Sequence, residues 1–383
     1  MRVLLSCGEA SGDLYAGALV RELRALSPDV DVFGLGGRQF VAAGGRQIVD
    51  YRDLSVNGLF EVLGKIPQLA AARTRLVESA QTTPPDVFVP IDFWGFNYRL
   101  AQAMRKRGIP VVYYISPQLW ASRPWRMKSM HEIASRVLVI FPFEEAIYRQ
   151  AGVPVEFVGH PLVEMTTASV SREQFLEARG LAGRAPTVAI LPGSRANEVS
   201  RILPDLIAAA GLIRSVVADA QFVVSRAPHL DRELFEDVRR ANLPRTVIVD
   251  GDTDSVLASA DVTLTASGTA TVQAALHDSP MVIVYRVSPL TYTLGRWLLT
   301  VDTFGMPNLI AGGRIVPELI QRDFTPERVA REALSMLRDA SRSAEIRDGL
   351  RDVRRKLGSV GASHRAAKAI LDVAVGNTER SQR

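Results

Sequence analysis

Cysteine is almost missing from this 383-residue chain: Cys7 stands alone. One thiol excludes an intrachain disulfide and a thiolate metal cluster, and its place after an apolar run suits a small buried filler. No uninterrupted apolar run reaches the length of about 18 residues that a membrane-spanning helix needs. The opening MRVLLSCGEASGD breaks its apolar stretch too soon for a secretion signal, so the start reads as intracellular. Histidine is sparse, and His131, His160, His229, His277 and His364 are too scattered for a local metal-ligand motif. The glycine loops follow neither GxGxxG nor GxxxxGK[ST], which argues against a dinucleotide fingerprint and a P-loop NTPase.

What is present is an ordinary globular composition with a basic excess, net charge +5. The basic residues are spread along the chain. That suits an anionic ligand or an anionic membrane surface, and without a basic block it gives no support for nucleic acid. The length exceeds one comfortable core and predicts two domains.

Short apolar runs alternate with helical patterns. RVLLS (2–6), VDVFGLGG (30–37), DVFVPI (86–91), VVYYIS (111–116) and RVLVIF (136–141) read as strands. LYAGALVRELRAL (14–26) and NYRLAQAMRKRG (97–108) read as helices between them. A second series begins near 186: TVAILPGSR, QFVVSRA, TVIVDG, VTLTAS and PMVIVYRV as strands, with LPDLIAAAGLIRSV (203–216) as a helix. Continuous apolar strands separated by helices predict parallel sheets covered on both faces. The expected fold is thus α/β, two doubly wound Rossmann-like domains with a ligand cleft between them. The spans are 1–165, 166–345 and a helical tail, 346–383, that packs back on the first domain or exchanges between subunits. Thr325 before Pro326 marks a helix start.

Four loops gather small polar residues. In SCGEASGD (6–13), Gly8 and Gly12 flank Glu9 and Ser11, and a ligand contact competes with a helix cap made by Ser11 or Asp13. In LPGSRANEV (191–199), Gly193 and Ser194 present amides, Arg195 suits a phosphate and Glu198 falls in the first helical turn. In TASGTATVQAAL (265–276), Ser267, Gly268 and Thr269 form a second anion nest. In PNLIAGGRIVPELIQ (307–321), Asn308 either meets a ligand or caps a helix. Asp92 ends an apolar run in VPIDFWGFN (89–97), with Asn97 close behind, and His160 sits in FVGHPL at the domain seam.

Taken in order, GEASGD, SPQLWA, FPFE, FVGHPL, LPGSR, ASGTAT and PNLIAGGRIVPELIQ resemble the lipid-A-disaccharide synthases across nearly the entire chain. The resemblance implies a GT-B glycosyltransferase at the cytoplasmic face of the inner membrane of Gram-negative bacteria. Such an enzyme transfers 2,3-diacylglucosamine from UDP to 2,3-diacylglucosamine 1-phosphate (lipid X) with inversion, giving a β-1',6-linked disaccharide 1-phosphate and UDP. It implies no cofactor and no metal, and either a monomer or a homodimer. The diphosphate would lie on Ser194, Arg195 and 267–269, with Asp92, Glu9 and Asp13 as candidate bases. Further substrate contacts are expected from Ser11, Gly12, Asn97, His160, Glu198, Gln273 and Asn308. The segments 54–77, with Leu59, Phe60, Leu63, Ile66 and Leu69 near Lys65, Arg73 and Arg75, and 289–300 are candidate membrane faces. Pro67 is expected to split the first into two helices.

The chain departs from the family pattern in places. Gly95 replaces a second aspartate of the strand-end motif, Gln273 a glutamate, Arg38 a proline and Ser122 a tryptophan. Gly95 has no side chain to accept a proton, which throws that role on Asp92 or the first loop. The alternatives are a related GT-B enzyme with another donor or acceptor, an enzyme like UDP-N-acetylglucosamine 2-epimerase, or a non-catalytic lipid or nucleotide-sugar binding protein.

Overall fold

The structure, a computed structural model, describes residues 1–54, 64–117, 127–286, 303 and 305–381. Runs that are apolar at nearly every position pair side by side, because only a parallel sheet covered on both faces buries them completely. β1 (Arg2–Cys7), β2 (Asp31–Gly36), β3 (Arg46–Asp50), β4 (Val87–Ile91), β5 (Val112–Tyr114), β6 (Arg136–Val139) and β7 (Val155–Phe157) form one parallel sheet in the order β3-β2-β1-β4-β5-β6-β7. β8 (Thr187–Leu191), β9 (Gln221–Arg226), β10 (Thr246–Asp250), β11 (Val262–Ala266), β12 (Met281–Tyr285) and β13 (Glu318–Ile320) form another, ordered β10-β9-β8-β11-β12-β13 and also parallel. Two Rossmann-like lobes of this kind are the GT-B plan.

The chain divides into two compact units, Met1–Pro161 with Leu357–Arg383, and Leu162–Lys356. The helices Pro326–Arg338 and Ala340–Lys356 belong to the second. Thr325 caps the former by accepting the Arg328 N–H at 3.4 Å. The last helix, Ala362–Ser381, returns to the first unit and packs on the helix Ala10–Leu26, where His364 Nδ1 lies 2.9 Å from Glu22 Oε2.

Three helices begin earlier than the pattern of apolar residues suggests: Ala10–Leu26, Trp94–Arg105 and Ala196–Val216. Their first turns, ASGD, WGFN and ANEV, lack the apolar spacing of the helix that follows, and their place is decided by packing. Gly12, for one, lies so close to β1 that a Cβ would stand 3.2 Å from the Cys7 Cβ. The strands β3 and β13 escape a sequence reading because RQIVD and ELI are short and carry charge. Pro67 stands in the first turn of the helix Ile66–Thr82, where its missing N–H costs nothing; residues 55–63, the other part of the 54–77 segment, lie outside the described residues. Leu69 packs on the first core while Ile66 is 50% exposed. Leu59, Phe60, Leu63, the 289–300 segment and Ser122 lie outside the described residues.

Candidate functional site

In each sheet the strand order reverses once, between β1 and β4 and between β8 and β11. Loops leaving the carboxyl ends of those neighbours diverge and open a crevice, the usual ligand position in such sheets. Both reversals carry residues singled out above.

At the first reversal, the register pairs Cys7 with Ile91, so Gly8 and Asp92 leave the sheet side by side. The loop 6–13 shrinks to Gly8 and Glu9, because β1 runs to Cys7 and the helix begins at Ala10. The Phe93 ring lies over Gly8 so closely that a Cβ there would stand 2.2 Å from it, which is why no larger residue fits. Asp92 and Glu9 are both exposed at this edge. Asp92 and Phe93 have φ of 45° and 51°, and Ile115 at the end of β5 has φ of 56°. Non-glycine residues in the left-handed region are strained, most of all a β-branched one, and such residues cluster at functional sites.

Glu9 holds the N-cap position of Ala10–Leu26, so neither Ser11 nor Asp13 is its cap. Asp13 is buried and caps a different helix, Arg38–Ala42. Its Oδ1 accepts from the N–H groups of Gly37 and Phe40 at 2.7 and 3.1 Å, and its Oδ2 accepts from Gln39 at 2.9 Å. Ser11 is half-buried and Gly12 buried. The Asn97 side chain is 0% exposed and turns inward. His160 is buried with its ring 6.0 Å from Tyr15 and 5.3 Å from Phe141, and burial pushes its imidazole from 6.5 down to about 3. It is therefore neutral. Burial and the nearby Asp92 carboxylate raise the Tyr15 phenol well above its usual range, which keeps that hydroxyl protonated.

At the second reversal, Leu191 pairs with Thr265, so the loops 192–195 and 267–268 emerge together. Gly193 has φ of 122°, a backbone conformation that favours glycine, and its Cα faces the Glu198 side chain, whose Oε2 would stand 2.8 Å from a Cβ. Ser194 and Arg195 are exposed, as are Gly268 and Thr269, with Ser267 half-buried. Arg195 pairs with Glu198 at 3.3 Å in the first turn of Ala196–Val216, an exposed pair of small energetic value. Gln273 Nε2 donates to Asp254 Oδ1 at 3.5 Å, and His277 Nε2 lies 3.0 Å from the same oxygen. Asn308 is buried inside the helix Met306–Ala311, whose N-cap is Gly305. Its Oδ1 accepts from Ile315 and Val316 N–H at 2.8 and 3.0 Å, and its Nδ2 donates to Val316 O and Glu318 Oε1 at 2.9 and 2.6 Å. It ties that turn to β13.

The sequence reading missed Ser6, Tyr113, Asp254 and Tyr285. Tyr285 ends β12, and its phenol is raised by burial and by Glu198, with Arg195 opposing. A tyrosine closing an apolar run, as in MVIVY, was the available signal. Nothing local marks Asp254, whose meeting with Gln273 and His277 is tertiary.

A family model for lipid-A-disaccharide synthetase matches residues 3–373. Among curated relatives, the lipid-A-disaccharide synthase of Myxococcus xanthus is 41% identical over 97% of both chains. That of Koribacter versatilis is 43% identical over 98% of this chain and 99% of its own, and that of Syntrophus aciditrophicus 42% over 96% and 97%. Among solved structures, UDP-GlcNAc 2-epimerase from Neisseria meningitidis superposes with a TM-score of 0.67 over 98% of this chain and 100% of its own. At 10% identity that likeness shows the fold alone.

Proposed function

The chain belongs to the lipid-A-disaccharide synthase family and is a glycosyltransferase, and we propose the following substrates, site and mechanism for it. The donor is UDP-2,3-diacylglucosamine and the acceptor 2,3-diacylglucosamine 1-phosphate. The carrying observation is the family match, which spans residues 3–373 with no large part of the chain left over.

The donor diphosphate is assigned to the second unit, on Ser194, Arg195 and the 267–269 loop. Two loops of small, largely exposed residues emerging side by side, with one guanidinium, suit two phosphates. These groups would stabilise the charge that builds on departing UDP. Glu198 would hold Arg195 ready until phosphate displaces it. Gln273 retains hydrogen-bonding capacity without charge, and the carboxylate beside it is Asp254.

The base is assigned to the first unit. An inverting transfer is one displacement: the acceptor's primary hydroxyl oxygen bonds to the anomeric carbon, the bond to UDP breaks, and the proton passes to a carboxylate. Of the three candidates, Asp13 is engaged by three main-chain N–H groups. Asp92 and Glu9 are exposed at the reversal, and the strain collected around Asp92 favours it. The protein would work at the cytoplasmic face of the inner membrane. No helix among the described residues is long and apolar enough to cross a membrane.

Incubation with both substrates, followed by mass spectrometry, tests the reaction. The expected products are the acylated disaccharide 1-phosphate and UDP, and UDP-sugar interconversion without acceptor would overturn the assignment. Asp92→Asn is expected to lower kcat by roughly 10²-fold or more, and Glu9→Gln much less. The reverse ranking would move the base to the first loop.

A further inference from the structure

We propose that Tyr113, Asn97 and Ser6 form a buried bracket that positions Asp92 for proton transfer, so that Asn97 acts through the main chain and does not touch substrate. This rests on the reading of Asp92 as the base.

Two buried side chains converge on one carbonyl. The Tyr113 hydroxyl donates to Asp92 O at 2.6 Å, and Asn97 Nδ2 donates to the same oxygen at 2.8 Å. The Ser6 hydroxyl donates to Asn97 Oδ1 at 2.6 Å, which sets the amide's orientation. Its Nδ2 then faces two further carbonyls, Ser6 O near the end of β1 and Ile91 O at the end of β4, each at 3.3 Å. Ser6, Asn97 and Tyr113 are all 0% exposed. The donors are therefore shut away from solvent, and leaving them without an acceptor carries a strong penalty.

The peptide so held is the strained one. Asp92 and Phe93 lie consecutively in the left-handed region, a conformation costing each on the order of 1–2 kcal/mol in an L-residue. The Asp92 N–H, on the preceding peptide, donates to Ile115 O at 3.1 Å, so the third strained residue holds the other side of Asp92 from β5. An ordinary turn here would need none of this. The effect of the strain is to end β4 abruptly, keep the Asp92 side chain exposed beside Glu9, and lay the Phe93 ring on Gly8. A proton acceptor must be held to a fraction of an ångström, and a loop held only by its own torsions would not do so.

The test compares kcat, KM and the pH profile of wild type, Tyr113→Phe, Ser6→Ala, Asp92→Asn and the Tyr113→Phe/Asp92→Asn double variant. Tyr113→Phe deletes one hydrogen bond and keeps the ring, which packs 6.2 Å from Trp94. Its kcat is expected to fall about tenfold with KM within about twofold, a split that marks lost orientation and not lost binding. The acidic limb of its pH profile should move. Ser6→Ala should show a smaller loss of the same kind and keeps the idea testable if Tyr113→Phe folds poorly. The double variant should be no slower than Asp92→Asn alone, because a misplaced base that is already absent cannot matter. Wild-type kcat in Tyr113→Phe, or its tenfold loss persisting in the double variant, would overturn the bracket and leave Asp92 as base. Wild-type turnover in Asp92→Asn would overturn the base itself, and the bracket with it.

Discussion

Residues of one chemical type hold opposite duties in the first unit, and their surroundings decide which. Asp13 and Asp92 both stand close to the β1–β4 reversal. Three N–H donors converge on Asp13 from the turn at Gly37, whereas Asp92 is exposed. Asp13→Ala should therefore cost stability, on the order of 2–3 kcal/mol by chemical denaturation, since two buried donors and a part-buried one lose their acceptor. Sequence alone placed both in the same list, because three-donor capping by a residue 24 positions away has no local mark. His160 gives a pH signature. Its imidazole titrates near 6.5 when unfolded and near 3 in the fold, so below about 6.5 the unfolded chain binds a proton that the fold refuses. Its stability contribution is intact above that value and is lost as pH falls toward about 3. At pH 5 the loss is on the order of 2 kcal/mol. The difference in unfolding free energy between wild type and His160→Gln, followed from neutral to acid pH, should show that slope, and parallel curves would contradict it.

At the scale of elements, Gly95 is the informative position. It is the second residue of the helix Trp94–Arg105, exposed, with no atom within 4 Å of where a Cβ would stand. The family-usual aspartate therefore fits without rearrangement. Gly95→Asp should stabilise the protein by about 1 kcal/mol, through lower chain entropy in the unfolded state and a carboxylate at a helix N-terminus. Denaturant titration measures this. If a second carboxylate assists the reaction, kcat should also rise. The helix itself was legible in NYRLAQAMRKRG, but its first three residues were not. They follow the strained pair Asp92–Phe93, and no local pattern announces a left-handed non-glycine residue.

For the whole molecule, the net charge of +5 with no spanning helix among the described residues fits peripheral binding to an anionic surface. Cosedimentation should show binding to vesicles containing anionic lipid, weaker binding to zwitterionic ones, and a several-fold loss as salt rises from about 0.1 M to about 1 M, where the Debye length contracts from about 10 Å to about 3 Å. Salt-insensitive binding would point to apolar insertion. Two parallel sheets, most of their strands and the four small-residue loops were legible in the amino-acid order alone, because burial on both faces forces continuous apolar runs and tight crossings force small residues. The family was legible too, since ordered motifs persist over the whole length. Which loops meet was decided only by the sheet order, because strands distant in sequence become neighbours at β1–β4 and β8–β11. The inward turn of Asn97 and Asn308, the capping duty of Asp13 and the neutrality of His160 likewise belong to the tertiary structure. Each depends on donors, acceptors or burial supplied by residues that lie elsewhere in the chain.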